Sequence, residues 1–167
     1  MRSVESFAFE GTIEQRFMPK KILFVCTGNT CRSPMAEGLL KKLASGKDIE
    51  VTSAGTSAYP GMPPTQEAVR IMLEEGIDIT SHMSRALDGF LLEESDYVYV
   101  MTRGHLRHIT DWFKSMKSKV QLLREYDYKR DDEFYPDIPD PLGGSEDDYR
   151  KVINMLKRAI TELGKKL

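Results

Sequence analysis

Short apolar runs recur along the chain, separated by longer segments in which apolar positions are spaced by three and four. The first run, residues 21–26 (KILFVC), is rich in residues that favour strands, and shorter runs of the same kind occupy 49–53, 97–101 and 120–123. Turn-forming or polar residues bound each run. The pattern therefore predicts four buried β-strands.

Helical spacing separates the strands and follows the last one. The segments with this spacing, given by their apolar positions, cover 68–73, 106–116 and 149–163. Residues 34–43 also favour a helix, and a shorter one is predicted at 90–94. The chain is thus predicted to alternate between strands and helices.

Polar residues mark the ends of several of these helices. Ser33 is predicted to cap the helix of residues 34–43. Thr65 is predicted to cap the next helix, and Gly76 is predicted to end it. Ser145 with Asp148 three residues later resembles a capping box, with Asp in place of the usual Glu. The last helix is therefore predicted to begin directly after Ser145.

Alternating strands and helices are typical of right-handed β-α-β units, which build a parallel sheet covered on both faces. We therefore predict an α/β fold, a three-layer, doubly wound sheet of four parallel strands. Residues 18–167 are expected to form this single domain, and residues 1–17 to be an N-terminal extension that is poorly ordered. In such sheets, functional sites lie beyond the carboxyl ends of the strands.

Composition narrows the class of protein. The net charge is −2, from 24 basic and 26 acidic residues, so no overall field favours nucleic acid or an anionic membrane. No apolar run approaches the roughly 20 residues that a membrane helix needs, and residues 1–17 lack the apolar block of a signal peptide. With only two cysteines, a disulfide framework is not expected. We expect a cytoplasmic protein, and the sequence makes no prediction about its oligomeric state.

The first predicted strand ends in the pattern Cys26-x5-Arg32-Ser33 and leads directly into a helix. A strand-loop-helix connection of this kind points backbone N–H groups at one centre, where the helix N-terminus also favours an anion. Gly28 is expected to supply a positive φ for the tight turn. Arg32 offers a planar fork of donors for two phosphate oxygens, and the same positive surroundings favour the thiolate form of Cys26.

Other interpretations of the same residues are weaker. Taken singly, Cys26 is a small buried apolar residue and Arg32 a surface charge, but their spacing between strand and helix argues against both. A nucleotide-binding P-loop would need Gly-Lys-Ser/Thr, which is absent. The two cysteines and three scattered histidines (His82, His105, His108) lack the paired spacing of a zinc site. No metal or organic cofactor is expected.

The chain from about residue 21 to its end resembles the low-molecular-weight protein-tyrosine-phosphatase family. The resemblance is carried by VCTGNTCRSPMAEG at 25–38, TSAGT at 52–56, GIDITSHMSRAL at 76–87 and DIPDPLGGSEDDY at 137–149. It implies a phosphatase in which Cys26 accepts the phosphoryl group, Arg32 clamps it and Asp140 acts as general acid and base. Asp137 is the reserve for the acid.

The resemblance also implies which residues bind the substrate. Asn29 and Ser33 are expected to organise the loop. The full set of expected substrate-binding residues is Thr27, Gly28, Asn29, Thr30, Cys31, Ser33 and Leu142. The expected ligands are phosphate or other oxyanions in the loop, and the expected partners are phosphorylated proteins, with no nucleic acid and no membrane.

Thr30 distinguishes between two substrate classes. Tyrosine-directed members of the family usually carry a bulky aliphatic residue at this point, whereas members that resemble protein-arginine phosphatases carry Thr in the same CTGNTCRS string. Leu142 departs from both patterns, because tyrosine-directed members have aromatic residues after the Asp-Pro pair and arginine-directed members have Phe there. Tyr135, nearby in the sequence, is the candidate to compensate. We therefore predict phosphoarginine as substrate through a phosphocysteine intermediate, with phosphotyrosine as the alternative.

Three further possibilities remain at this point. Cys31 is either a buried filler or a partner that traps oxidised Cys26 as a disulfide. Arsenate reduction starts from the same kind of loop but needs cysteines after Cys31, and there are none. A non-catalytic phosphate-binding module is disfavoured by the joint presence of Cys26, Arg32 and Asp140.

Overall fold

A four-stranded parallel sheet forms the centre of the fold in the computed structural model, which describes residues 18–127 and 134–167. The strands are β1 (Lys20–Cys26), β2 (Ile49–Gly55), β3 (Tyr97–Val100) and β4 (Val120–Leu122). Their order in the sheet is β2-β1-β3-β4, and every pairing is parallel. The predicted α/β fold is confirmed.

Five α-helices complete the described architecture. They are α1 (Arg32–Leu43), α2 (Gln66–Glu74), α3 (Gly89–Glu94), α4 (Arg103–Trp112) and α5 (Glu146–Gly164). Short 3-10 helices flank β4, at Lys114–Met116 and Leu123–Tyr126. None of the described helices is long and apolar enough to cross a membrane.

Two apolar cores lie on opposite faces of the sheet, as alternate residues of β1 show. Ile22, Phe24 and Cys26 belong to the core built with α1, α2 and α5, whereas Leu23 and Val25 belong to the core built with α3 and α4. Because successive side chains of a strand point to opposite faces, an almost continuous apolar run is what a strand covered on both sides requires. The predicted three layers are therefore present.

Most of the predicted helix ends are confirmed. The Thr65 side chain accepts from the backbone N–H of Ala68, and Gly76 follows α2 with φ of 70°. Ser145 and Asp148 form a reciprocal capping box at the start of α5. Asp can replace Glu there because its carboxylate also reaches the N–H of Ser145, at 2.8 Å.

Two predicted helix ends are wrong. α1 begins at Arg32, with Cys31 at the capping position and no side-chain cap, because the Ser33 hydroxyl contacts Cys26 and Asn29 in the loop between β1 and α1. α4 ends at Trp112 rather than continuing to residue 116. The chain turns there into a 3-10 helix, so the apolar spacing of Phe113 and Met116 continues through a tighter helix.

Residues 18–167 contribute all the described elements, with residues 128–133 outside the described part of the chain. Residues 1–17 also lie outside the described residues, so the N-terminal extension stays a prediction.

Candidate active site

The loop between β1 and α1 lies at the carboxyl end of the sheet, where the fold predicts a site. Cys26 is the last residue of β1, and its sulfur is buried. The sulfur lies 3.0 Å from the Ser33 hydroxyl and accepts a hydrogen bond from the Asn29 backbone N–H at 3.3 Å. The loop is therefore folded back around the thiol, with the start of α1 on its far side.

Asn29 is the residue that turns the loop. It has φ of 55°, the left-handed region, whereas Gly28 has an ordinary φ, so the expected role of Gly28 in the turn is wrong. Asn tolerates this region because its short side chain can bond locally. Here the Asn29 amide donates to the hydroxyls of Ser33 and Ser53, both at 2.9 Å, and accepts from the Arg85 backbone N–H at 2.9 Å.

A second layer of polar residues holds Asn29 in place. The imidazole of His82 donates from Nε2 to the Asn29 carbonyl oxygen at 2.9 Å. The Ser53 hydroxyl donates to the Glu37 carboxylate at 2.5 Å, and Arg85 donates from Nε to the Ser53 carbonyl oxygen at 2.8 Å. Sequence reasoning missed these roles. The only signal was that Ser53, His82 and Arg85 fall inside two of the strings shared with the family.

Gly55 permits the close approach of β2 to the loop. A Cβ atom at this position would collide with the Thr27 carbonyl oxygen and crowd the Asn29 nitrogen. Directly after it, the N–H groups of Thr56 and Ser57 donate to the carbonyl oxygens of Cys26 and Thr27, at 2.9 and 3.0 Å. The end of β2 thus fixes the first part of the loop, and only glycine fits where the two backbones meet.

The loop presents several donors that no other described group accepts. Within residues 18–127 and 134–167, six of the backbone N–H groups of the loop and the start of α1 form no hydrogen bond, those of Thr27, Gly28, Thr30, Cys31, Arg32 and Ser33. The Nε atom of Arg32 is buried and likewise has no partner among these residues. Successive unpaired N–H groups at a helix N-terminus form an anion-binding concavity.

Arg32 connects this loop to the segment that carries Asp140. Its side chain is almost fully buried, and its guanidinium donates to the Ile138 carbonyl oxygen at 3.1 Å and to the Asp140 carboxylate at 2.6 Å. Asp140 itself is half exposed, and its other oxygen accepts from the Leu142 N–H at 3.2 Å. The structure therefore brings together Cys26, Arg32 and Asp140, although Asp140 lies more than 100 positions after the other two in the sequence.

Asp137, the reserve candidate for the acid, faces a different partner. Its carboxylate accepts from the Arg103 backbone N–H at 2.7 Å and pairs with the Arg103 guanidinium at 3.2 Å. Its carbonyl oxygen accepts from the buried Arg124, whose guanidinium also lies over the Tyr135 ring. Asp137 and Tyr135 thus anchor the segment, whereas Asp140 lies beside the loop.

Thr30 and Cys31 lie on the side of the loop nearest α2. The Thr65 N–H donates to the Thr30 carbonyl oxygen at 3.0 Å. The Cys31 sulfur is buried, 3.5 Å from the hydroxyls of both Thr65 and Tyr149, and burial raises the pKa of Tyr149 above its ordinary value. Both Cys26 and Cys31 are free thiols, so a disulfide between them stays a prediction.

The remaining predicted residues, Thr27 and Leu142, lie on the rim. Leu142 is 63% exposed. Thr27 is exposed as well, and its hydroxyl lies 2.9 Å from Nε2 of the buried His105, a residue to which sequence reasoning gave no role. Burial, helped by the nearby Arg32 guanidinium, lowers the pKa of His105 to about 4. Its imidazole is therefore neutral at physiological pH.

Comparison with known proteins agrees with this geometry. Residues 21–167 match the family described as low molecular weight phosphotyrosine protein phosphatase. A protein-arginine-phosphatase of Bacillus subtilis (strain 168) is 40% identical over 148 residues, which are 87% of this chain and 95% of that protein. The YwlE arginine phosphatase, solved as a mutant with a phosphorylated active site serine, is 39% identical with a TM-score of 0.80, covering 88% of this chain and 95% of that chain.

A tyrosine phosphatase is also similar. The structure of Wzb from Escherichia coli K30 in complex with sulphate gives a TM-score of 0.79 at 29% identity, covering 89% of this chain and 99% of that chain. The resemblance seen in the sequence is thus confirmed over almost the whole length of both relatives. The chain belongs to the low molecular weight phosphotyrosine protein phosphatase family, a family of cysteine-dependent protein phosphatases.

Proposed function

We propose that this protein removes phosphoryl groups from phosphoarginine residues of proteins, through a phosphocysteine on Cys26. One observation carries the proposal: the Cys26 sulfur lies at the centre of a loop whose unpaired N–H groups and buried Arg32 Nε all need an acceptor. A phosphoryl group bonded to the Cys26 sulfur would place three acceptor oxygens inside this loop. The relatives named for phosphatase activity support the same chemistry.

In the first proposed step, the Cys26 thiolate attacks phosphorus and the bond to the guanidinium nitrogen breaks. The three phosphoryl oxygens are held by the loop N–H groups and by Arg32. Asp140 delivers a proton to the departing nitrogen, so that arginine leaves as its guanidinium. The Ser33 hydroxyl, 3.0 Å from the sulfur, stabilises its negative charge before attack.

In the second step, water attacks the phosphorus of phosphocysteine. Asp140, now ionised, takes a proton from this water, and the Cys26 sulfur leaves as a thiolate. The Ser33 hydroxyl donates to the leaving sulfur. Inorganic phosphate then leaves the loop, and the ion pair between Arg32 and Asp140 holds the acid beside the site for the next cycle.

Thr30 supports phosphoarginine over phosphotyrosine. Its hydroxyl stands in the loop, where an aliphatic side chain would favour an aromatic ring and a hydroxyl suits the polar phosphoguanidinium. The exposed Leu142 offers no aromatic face on which a phenol ring could stack. Phosphotyrosine is the second candidate, because a tyrosine phosphatase shares the fold and 29% of the residues.

The proposed partners are phosphorylated proteins, and the proposed compartment is the cytoplasm. Both cysteines are free thiols, and a catalytic thiol needs a reducing compartment to stay active.

The preference is tested by measuring kcat/KM on matched peptides that carry phosphoarginine or phosphotyrosine. We expect a preference of at least about tenfold for phosphoarginine, and we expect Thr30→Ile to shift the ratio towards phosphotyrosine because it replaces the hydroxyl with an aliphatic wall. Cys26→Ser is the control for activity that does not depend on the thiol. A wild-type preference for phosphotyrosine would reject the proposed substrate and leave the enzyme class intact.

A further inference from the structure

A buried histidine next to the catalytic loop has no part in the steps above. His105 lies in the first turn of α4, directly after β3. Both ring nitrogens meet hydroxyl groups at 2.9 Å: Nδ1 meets Thr102, the cap of α4, and Nε2 meets Thr27 in the catalytic loop. The ring thus joins the loop after β1 to the turn after β3.

The hydroxyl of Thr27 is shared between two groups. It lies 2.9 Å from Nε2 of His105 and also accepts from the Arg32 guanidinium at 3.4 Å. Thr27 itself is exposed, so its side chain would turn freely if nothing held it. The contact with His105 selects the rotamer in which the hydroxyl faces Arg32.

Charged and titratable groups from several elements lie near enough to His105 to act on its pKa. These are Arg32 from α1, Asp137 and Asp140 from the segment before α5, and His108 one turn further along α4. The pKa of His105 is lowered to about 4 by burial first and by the Arg32 guanidinium second. A neutral ring can lie beside Arg32 without repulsion, and it keeps one nitrogen as acceptor and one as donor.

We propose that His105 is a positioning residue for the phosphate clamp, which sets the Arg32 guanidinium through the Thr27 hydroxyl. The inference deepens the proposed function, since it rests on Arg32 as the group that grips phosphate. Nη1 of Arg32 is fixed by the Ile138 carbonyl oxygen, whereas Nη2 is shared by Asp140 and Thr27. When a phosphate oxygen competes with Asp140 for the guanidinium, Thr27 is the contact that preserves its orientation.

A purely structural role for His105 predicts different behaviour. The ring would then fill space at the start of α4, and its loss would lower stability without a specific link to Thr27. A positioning role requires the effects of changing His105 and Thr27 to overlap, because both act on one hydrogen bond. His108 offers a matched control, since it lies on the same helix but is exposed.

The test is the Kd of inorganic phosphate for the full chain, measured by calorimetry near neutral pH. We expect His105→Ala and Thr27→Val each to weaken phosphate binding about tenfold, the effect of one hydrogen bond to a charged group. The double variant should have about the same Kd as each single variant. His105→Gln, which keeps a polar group that can reach Thr27, should restore part of the affinity, and His108→Ala should bind like the wild type.

Three results would overturn the inference: wild-type affinity in folded His105→Ala, losses that multiply in the double variant, or wild-type protein that binds no phosphate. Unfolding curves of each variant show whether a loss of affinity reflects a loss of fold, and His105→Gln provides the second variant if His105→Ala does not fold. Phosphate binding involves no turnover, so the role of His105 can be decided even if the proposed substrate is wrong. A protein that binds phosphate but does not hydrolyse phosphoarginine would contradict the proposed substrate only.

Discussion

At the scale of single residues, the candidate site combines hydrogen-bond donors that can receive an oxyanion with polar groups that support them. The loop N–H groups and Arg32 Nε have no acceptor among the described residues, whereas nearly every polar atom behind them is satisfied. Asn29 alone forms bonds to Ser33, Ser53 and the Arg85 backbone. This division between rigid support and open donors is the arrangement that preorganised electrostatic catalysis requires.

The contribution of Asp140 to the rate is expected to be larger for a poorer leaving group. Asp140→Asn removes the transferable proton and keeps the size of the side chain, so kcat on phosphoarginine peptides should fall by about 10²–10³. On an aryl phosphate whose phenolate leaves unaided, phosphocysteine formation should be much less affected. Steady-state and burst kinetics on both substrates measure the difference.

Asp147→Asn is the matched control for this experiment, since Asp147 is an exposed carboxylate in the first turn of α5. Equal losses on the two substrates would show that Asp140 acts on the clamp rather than as the acid.

Spacing alone identified the residues of the loop but not those that support them. Cys26 and Arg32 are close in sequence, and a strand-to-helix connection forces them around one centre. The positive φ was expected at Gly28 but lies at Asn29. The hydrogen bonds that stabilise Asn29 in this conformation involve Ser53 and Arg85, which lie on other elements and are distant in sequence. His105 was equally hidden, since only the fold brings it to Thr27.

At the scale of elements, the segment before α5 is held on two sides. Arg103 at the start of α4 binds the Asp137 carboxylate, and Arg32 in α1 binds the Ile138 carbonyl oxygen. The backbone N–H of Ile138 also donates to Met101 at the end of β3, at 2.8 Å. Asp140 follows two residues later, so its position depends on these anchors.

Arg103→Ala is therefore expected to affect catalysis more than stability. The ion pair is largely exposed, so its loss should lower the free energy of unfolding by less than about 1 kcal/mol. We expect kcat on phosphoarginine peptides to fall several-fold because Asp140 is held less firmly, with a smaller effect on an aryl phosphate that does not need the acid. Kinetics and urea unfolding of the same preparation separate the two effects.

Arg107→Ala, an exposed arginine on the same helix, controls for the loss of positive charge near the site. If the two variants have the same kinetics, the contact between Arg103 and Asp137 does not position the acid.

Elements with strong local signals were predicted correctly, and those that depend on neighbours were not. The Thr65 cap and the Ser145 capping box are local and are confirmed. Ser33 has equally good capping chemistry, but its hydroxyl bonds to Asn29 and faces Cys26. The end of α4 was also missed, because apolar spacing does not distinguish an α-helix from the 3-10 helix that follows it.

At the scale of the whole molecule, one buried group links the site to acid stability. The folded protein holds the pKa of His105 at about 4, whereas an unfolded chain has a His pKa of about 6.5. Between pH 6.5 and pH 4, His105 is therefore protonated in the unfolded state and neutral in the folded state. Stability is complete above pH 6.5 and falls as the pH drops from 6.5 to 4, by about 2 kcal/mol at pH 5 for this group.

Urea unfolding at pH 7 and pH 5 measures this loss. In His105→Gln the group that titrates is gone, so the difference between the two pH values should shrink by about 2 kcal/mol. Contributions from carboxylates such as Asp148 and Asp78, whose pKa values are lowered by local hydrogen bonds, are common to both proteins and cancel. An unchanged difference would mean that the His105 ring is already protonated in the folded state at pH 5.

The order of the strands brings the parts of the site together. β1 and β3 are neighbours in the sheet, so the loop after Cys26 and the turn that carries Arg103 and His105 emerge side by side. The segment of Asp140 reaches the same edge through the bond of Ile138 to Met101. The parallel strand order and this hydrogen bond together explain how groups more than 100 residues apart share one centre.

The central claim is that Cys26 carries the phosphoryl group during turnover of phosphoarginine. The most direct measurement mixes the enzyme with a phosphoarginine peptide, quenches it in denaturant at alkaline pH within milliseconds, and locates the phosphoryl group by peptide mass spectrometry. We predict phosphorylation on Cys26, increased in Asp140→Asn with an aryl phosphate because hydrolysis of the intermediate slows, and absent in Cys26→Ala. Turnover with no phosphoryl group on Cys26, or with one on another residue, would contradict the account.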